Sequence, residues 1–555
     1  DGGEYQTWDQ TTQWKRTYYV DGSSPRASDQ NAGDEANPFK TINRAAQVLV
    51  AGERVVVRPG VYRECVRPLR GGDGPDAMIA YHADPTGPVV IKASQPAPNK
   101  WVHLPEGVWQ LDLALLELKD ADNPFLLENL PEKAFAEMPW AQQLRGTSPY
   151  IQTRGMVFQE GSRLQRVDNR QLVLQTPASH WTDRETKLLL VNTANGRDPN
   201  SVAMELTTRQ AAIRPAARGL GFIEIKGFTV EMVGNGFPRP QEGAISVCGG
   251  HHWRIENNIV RDVNGVGIDI GNGWYGGALV AAESGSDAAR YTIVRGNRVE
   301  RTGVCGITGI PAINALIERN VLINNTIYPI TRMYESAGIK THVNTGTLIR
   351  QNLIINNPDN GVWMDWDNTN SRCTQNVIVD CFQGVFVEAS VHQPYNMVDR
   401  NVIWRATDGI YEHDSWHQTF VHNLIGESKT GIRLQGTVTD RKVGDMLVSA
   451  GGHLVAGNLI VSTAEPIAER KMPGFPDNTI VDNAISAEGV KVILDLQTRL
   501  LSLEGMATLD NFCKQMRITH DLLDKPWPQE HHNPGPLPLS GQYRIDAIAG
   551  DGGGK

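Results

Sequence analysis

The chain has 555 residues, too many for one ordinary hydrophobic core, so several domains or a one-dimensional repeat is expected. Its 40% apolar and 21% charged content excludes a disordered chain, and no run of about 18 apolar residues is available to span a bilayer. A formal charge of −9, with no basic run and no recurrent interleaving of Arg or Lys with aromatics, argues against nucleic acid and against a polyanionic ligand, and a neutral ligand fits better.

Residues 1–92 read as an N-terminal cap and a first coil. Strand Thr17–Asp21 leads through a polar loop to a helix over Pro38–Ala51, followed by strands Arg54–Arg58 and Ala77–His82. The helix is expected to plug one open end of a solenoid, because exposed terminal rungs need a cover. Over residues 93–215 tryptophans (Trp101, Trp109, Trp140, Trp181) and short alternating strands such as Gln171–Gln175 and Lys187–Asn192 predict an inserted all-β module, a small sandwich. Regular coils occupy 216–487, and 488–555 forms a C-terminal cap or tail with a helix over Leu503–Gln515 and a disordered Gly-rich end.

The coils are marked by asparagines with apolar neighbours: Asn258, Asn297, Asn320, Asn352, Asn376, Asn401, Asn423, Asn458 and Asn483. The short steps cluster near 24 residues and the long ones are insertions. This period suits a leucine-rich solenoid or a parallel β-helix. The segments are rich in Val and Ile and lack the leucine consensus, which selects the β-helix, with the asparagines stacked as a structural ladder.

The six cysteines form no Cys-x-x-Cys pair and read mostly as small buried residues, although an even number leaves disulfides open. Aspartate at position 1 implies a missing leader or initiator Met, so the compartment is not assigned. His251-His252 has no third ligand at useful spacing and reads as a turn rather than a metal site.

Two strands of one shape, Gly361-Val-Trp-Met-Asp365 and Gly384-Val-Phe-Val-Glu388, place their carboxylates 23 residues, one coil, apart. Alternation sends Val362, Met364, Val385 and Val387 inward and Trp363, Asp365, Phe386 and Glu388 outward, with about 4.8 Å between rungs. The same frame puts Lys340 in the Trp363 row. It gives an outer column His342, Asp365, Glu388, His413. Like charges on adjacent strands are destabilising, so a purpose other than stability is implied. Retaining glycosidases need two carboxyl groups about 5–5.5 Å apart, which adjacent rungs supply, and mutual repulsion would keep one of them protonated as the acid. Outward Trp363 and Phe386 suggest a wall for stacking a sugar ring. Other readings are a solvated acidic face and a Ca²⁺ site from Asp365, Asp367 and Asn368. Glu412 to His417 offers a pocket rim or a polar loop, and Trp274, in the first long insertion, a subsite wall.

The segments Glu335-Ser-Ala-Gly-Ile-Lys340-Thr-His342, Gly361-Val-Trp-Met-Asp365-Trp366, Phe386-Val-Glu388 through His392-x-Pro394 to Val398-Asp-x-Asn401, and Thr419-Phe-Val-His422-Asn423-Leu resemble glycoside hydrolase family 120. Met156-Val-Phe-Gln-Glu-Gly and Asp198-Pro-Asn200 in the insert are also similar. The resemblance implies a right-handed parallel β-helix interrupted by a β-sandwich, and a retaining β-xylosidase with no metal or cofactor. It makes Asp365 the nucleophile, Glu388 the general acid/base and Glu335 a third carboxylate. Lys340 and His342 would bind sugar hydroxyls or tune the pair, and Trp363, Trp366, Phe386 and His413 complete the substrate-binding set. Two departures stand: Glu388 is followed by Ala-Ser-Val rather than Val-Asn, and the chain is shorter than usual for the family. The expected partner is a xyloside or xylo-oligosaccharide, with a homo-oligomer possible through the insert. Competing functions are a β-glycosidase for another sugar, a polysaccharide lyase with Lys340 as base, and a non-catalytic carbohydrate-binding solenoid.

Overall fold

The computed structural model describes residues 7–132, 139–237, 242–271, 289–330, 335–437, 440–485, 491–498, 500–504, 536 and 541–545. Short strands rich in Val and Ile, most of three to six residues, lie side by side in successive coils and form three long parallel sheets. One sheet begins at Arg16–Val20 and has 13 strands, a second begins at Gly60–Tyr62 and has 12, and a third runs from Gly243–Ser246 to Glu465–Arg470 with nine. Inward side chains such as Ile255, Ile317, Ile354, Val362, Ile378, Val385 and Ile432 fill one continuous core along the axis. This is the parallel β-helix expected from the asparagine row.

The ladder runs between the first two sheets. From Asn297 on, each amide oxygen accepts two N–H groups of the preceding asparagine. Asn352 donates its backbone N–H (3.0 Å) and Nδ2 (2.9 Å) to Asn376 Oδ1, and Asn376 donates both to Asn401 Oδ1 (2.9 and 3.0 Å). The pattern holds from Asn258 to Asn483 across every long step. The residue before each asparagine is left-handed even where it is not glycine, as at Arg319 (φ 54°), Gln351 (56°) and Gln375 (57°). Such backbone is costly for an L-residue and persists because the stacked amides fix the turn.

The cap helix is shorter than expected, Ile42–Val48, because it starts after an N-cap at Thr41 and not with Pro38 as its first residue. Thr41 Oγ1 accepts from Arg44 N at 3.1 Å, and the Glu64 carboxylate takes the N–H groups of Ile42 and Asn43. Ile42, Ala45 and Ala46 enter the axial core and so cover its first rung.

Ile79–Ala83 pairs directly with Ile223–Lys226, and Val89–Lys92 with Thr229–Val233, so the chain leaves the stack after Lys92 and returns one rung later. The excursion carries a four-stranded and a five-stranded sheet whose shared core includes Trp101, Leu111, Phe125, Val157, Leu189 and Leu206. Residues 171–175, expected as a strand, belong instead to a helix, Arg170–Gln175. Asn169 Oδ1 accepts from Leu172 N at 3.0 Å and starts it, a signal that so short an apolar run cannot provide by alternation.

Near the C-terminus, strands Lys491–Asp495, Leu500–Glu504 and Gly541–Arg544 form an antiparallel sheet. Leu501, Leu503 and Ile545 pack on Val377, Val402 and Trp404, the outer side of the second sheet. The helix expected from Leu503 therefore begins on a strand, and its residues 505–515 lie outside the described residues, as do the Gly-rich end and Trp274. Among the described residues five cysteines are free thiols, four of them buried.

Asn376→Ala removes an acceptor for two buried N–H groups of Asn352. An unpaired buried donor costs about 1–3 kcal/mol, so the denaturant midpoint is expected to fall by an amount equivalent to at least ~2 kcal/mol. An unchanged urea midpoint would contradict the ladder's structural part.

Candidate active site

The third sheet builds the carboxylate column. Its register pairs Lys340 with Trp363 and His342 with Asp365, then Trp363 with Phe386 and Met364 with Val387, then Phe386 with Tyr411 and Glu388 with His413. Asp365 and Glu388 each follow a paired residue, Met364 and Val387, so they end adjacent rungs on the outer face. Their inward neighbours Val362, Met364, Val385 and Val387 are fully buried in the axial core and anchor the strands.

The two acids occupy different surroundings. Asp365 is 7% exposed, and its Oδ2 accepts from Lys340 Nζ at 2.7 Å and from His342 Nδ1 at 2.8 Å. Oδ1 has no partner among the described residues. Burial alone would raise this carboxyl, but the charge on Lys340 and then His342 outweigh it and hold Asp365 well below the usual carboxylate range. Lys340 is 1% exposed; it also pairs with Glu335 Oε2 and lies 4.0 Å from the Trp363 ring centroid. Burial opposes its charge, and Asp365 and Glu335 carry its ammonium above the normal lysine range. Glu335 therefore acts on Asp365 through Lys340.

Glu388 is held loosely. Oε1 is 3.6 Å from Arg441 Nη2 and 3.9 Å from His413 Nδ1, both beyond ordinary hydrogen-bond length. Burial would lower His413, but the negative charges of Glu388 and Asp414 prevail and raise it. Arg441 also lies 5.0 Å from the centroid of Trp366, which places Trp366 beside Glu388.

The expected aromatic wall is present but covered. Trp363 and Phe386 stack at 5.2 Å and Tyr411 continues the row at 4.9 Å, yet Trp363 is only 3% exposed and Phe386 8%. Leu130, Leu144 and Tyr150 of the insert, with Phe237, close over them, so this row packs against protein instead of facing solvent. Asp367 turns away to His392 Nδ1 (2.8 Å), and the Asn368 amide donates to the Asp365 carbonyl (2.6 Å), so the three oxygens of the Ca²⁺ reading do not converge. No cluster of three potential metal-ligating side chains occurs among the described residues. Of the Glu412–His417 segment, Glu412 points inward and is fully buried beside His453 (3.3 Å), while His413 faces the column.

Sequence reasoning missed Arg441 and Tyr411. Arg441 enters from the excursion inside the 35-residue step between Asn423 and Asn458, the signal that was available. Tyr411 follows Phe386 by the same 25-residue step that carries Glu388 onto His413.

A family model described as "Right handed beta helix region" matches residues 243–425. Among solved structures, "The complex structure of XylC with xylose" is 22% identical, covers 95% of this chain and 99% of its own, and superposes with a TM-score of 0.74. A second, described as "Glycoside hydrolase", is 11% identical over 85% of this chain and 96% of its own, with a TM-score of 0.47. No curated protein matches the sequence. The chain is a right-handed parallel β-helix.

Lys340→Met leaves two buried carboxylates without their shared cation, an expected loss of about 3–5 kcal/mol. In the native chain, the depressed Asp365 value contributes stability that is present above its unfolded value near 3.9 and is lost only as pH falls through the lower folded value. Acid titration followed by circular dichroism should therefore show the variant unfolding at a higher pH than the native chain.

Proposed function

We propose that the chain is a retaining exo-glycosidase acting on β-xylosides or xylo-oligosaccharides, with Asp365 as nucleophile and Glu388 as general acid/base. One observation carries the reading: two outward carboxylates end adjacent rungs, one pinned as an anion and the other loosely held. Rung spacing of about 4.8 Å suits direct attack, because the inverting alternative needs about 6.5–9.5 Å for an intervening water. The family 120 resemblance of the surrounding motifs supports the sugar, and the xylose in the XylC complex agrees with it.

In the first step Asp365 Oδ1 attacks the anomeric carbon while the bond to the leaving oxygen breaks and Glu388 gives that oxygen its proton. Lys340 and His342 hold the other oxygen of Asp365, fixing the carboxylate plane and keeping it unprotonated. In the second step Glu388 takes a proton from water, the water oxygen attacks the same carbon, and the ester to Asp365 breaks. Two inversions give net retention. Trp366, Arg441, His342 and His413 surround this point and are the sugar-contacting groups in this reading. A lyase would need Lys340 as a base, but its ammonium is shared by two carboxylates and shifted upward, which disfavours proton abstraction.

Hydrolysis of aryl β-xylosides by the native chain, Asp365→Ala and Glu388→Ala tests the assignment. Glu388→Ala is expected to lower kcat by about 10²–10⁴. Azide should give a β-xylosyl azide with Glu388→Ala and an α-xylosyl azide with Asp365→Ala. Full activity in either variant would rule the pair out, whereas loss of both activities on a different glycoside would retain the mechanism and change only the sugar.

A further inference from the structure

A cavity of about 400 Å³ lies where the inserted module meets the β-helix, lined by Arg163, Arg166 and His180 from the module and by Ile327, Tyr328 and Pro329 from the turn before the third sheet. It sits toward the N-terminal ends of the third-sheet strands, whereas Asp365 and Glu388 lie at their C-terminal ends. It is therefore a separate place. Its lining holds two guanidinium groups and no Asp or Glu among the described residues.

Arg166 is fixed from behind by neutral acceptors: Nε to Gln152 Oε1 (2.9 Å), and Nη1 to Asn264 Oδ1 (2.9 Å) and the Thr153 carbonyl. Its Nη2 is buried with no partner. Arg163 has only a long contact to Met156 Sδ (3.8 Å), and both guanidinium groups lie against the Tyr328 ring, at 5.7 and 4.9 Å. His180 is 1% exposed and neither of its ring nitrogens has a partner. Burial, and then the two arginines, keep it neutral. Asp168, whose charge reaches Arg166, lines the adjoining larger cavity instead.

Buried polar groups are ordinarily satisfied, and like charges are not gathered in a recess without a counter-charge. Here unpaired N–H donors and two cations converge on one space large enough for a small molecule. We propose that this cavity binds a small oxyanion, a phosphate or the carboxylate of an acidic monosaccharide, gripped by Arg163 and Arg166 with His180 donating one ring N–H. Arg supplies the planar fork that such oxygens accept from.

The test uses the full chain, with sodium phosphate and sodium D-glucuronate as probes and sodium chloride at matched ionic strength as control, read by thermal shift and calorimetry. A saturable rise in Tm with phosphate or glucuronate but not chloride is expected, and the responding probe identifies the oxyanion. Arg163→Gln should weaken binding roughly tenfold, as for loss of a charge-assisted hydrogen bond, and Arg163→Lys should retain part of it. Arg163 is partly exposed, and an unchanged Tm in chloride shows that each variant folds. No saturable response of the native chain to either probe, or equal affinity in folded Arg163→Gln, overturns the proposal. Neither readout depends on hydrolysis of a xyloside.

Discussion

The stacked asparagine amides are the constraint on which the rest of the structure depends. From Asn297 on, each Oδ1 takes two N–H groups from the coil before it, and Asn258 through Asn458 are fully buried, so water cannot replace a lost partner. A strand that slipped by one residue would break these bonds and turn every side chain to the opposite face. Asp365 and Glu388 would then enter the axial core, and Met364 and Val387 would face outward. The ladder lies between the first two sheets, while the carboxylates lie on the third. The strand pairing within the third sheet carries the same rung order out to the column, whether a short or a lengthened connection joins it to the ladder. Where the step lengthens, as between Asn320 and Asn352, the bonds are still made.

This explains what the sequence reveals and what it hides. Periodicity specifies neighbours along the stack, so Lys340 beside Trp363, His342 beside Asp365 and Glu388 beside His413 were legible from spacing alone. What covers the outer face is set by the inserted module, whose packing follows no period. Trp363 and Phe386 were therefore assigned correctly to the outside of the coil and incorrectly to solvent, because Leu144 and Tyr150 arrive from more than 200 residues away in sequence. Arg441 was hidden for the same reason, coming from an excursion that the repeat marks but does not describe. The left-handed residues before the asparagines were invisible for another reason. Glycine is the usual sequence signal for that conformation, and Arg, Gln and Asp hold most of these positions here.

The covered aromatic row has an electrostatic consequence. Trp363 shields one side of Lys340 and offers its ring face to the ammonium, so the lysine is removed from water while keeping its charge. A buried ammonium is tolerated only with close counter-charges, and Glu335 and Asp365 provide two. Glu335 compensates the charge that Asp365 alone would leave, and the ammonium therefore remains protonated beside a carboxylate it holds in the ionised form. A flexible lysine satisfies both acids from one nitrogen, where a planar guanidinium would require a wider gap between them.

Two chemically similar acids one rung apart thus receive unequal environments from the same repeat. The difference arises from what stands around them: His342, one rung earlier in the same row, and Lys340 from the neighbouring row both contact Asp365, whereas His413 and the excursion bearing Arg441 flank Glu388 at longer range. For the proposed chemistry this asymmetry matters more than the separation itself. A nucleophile must stay unprotonated and immobile through both steps, and an acid/base must exchange its proton twice and tolerate a change of charge each time. Tight contacts to a fixed cation suit the first demand and would defeat the second. A solenoid can meet both because it repeats its backbone without repeating its side chains, so that a single coil step changes the electrostatics while the strand geometry is preserved.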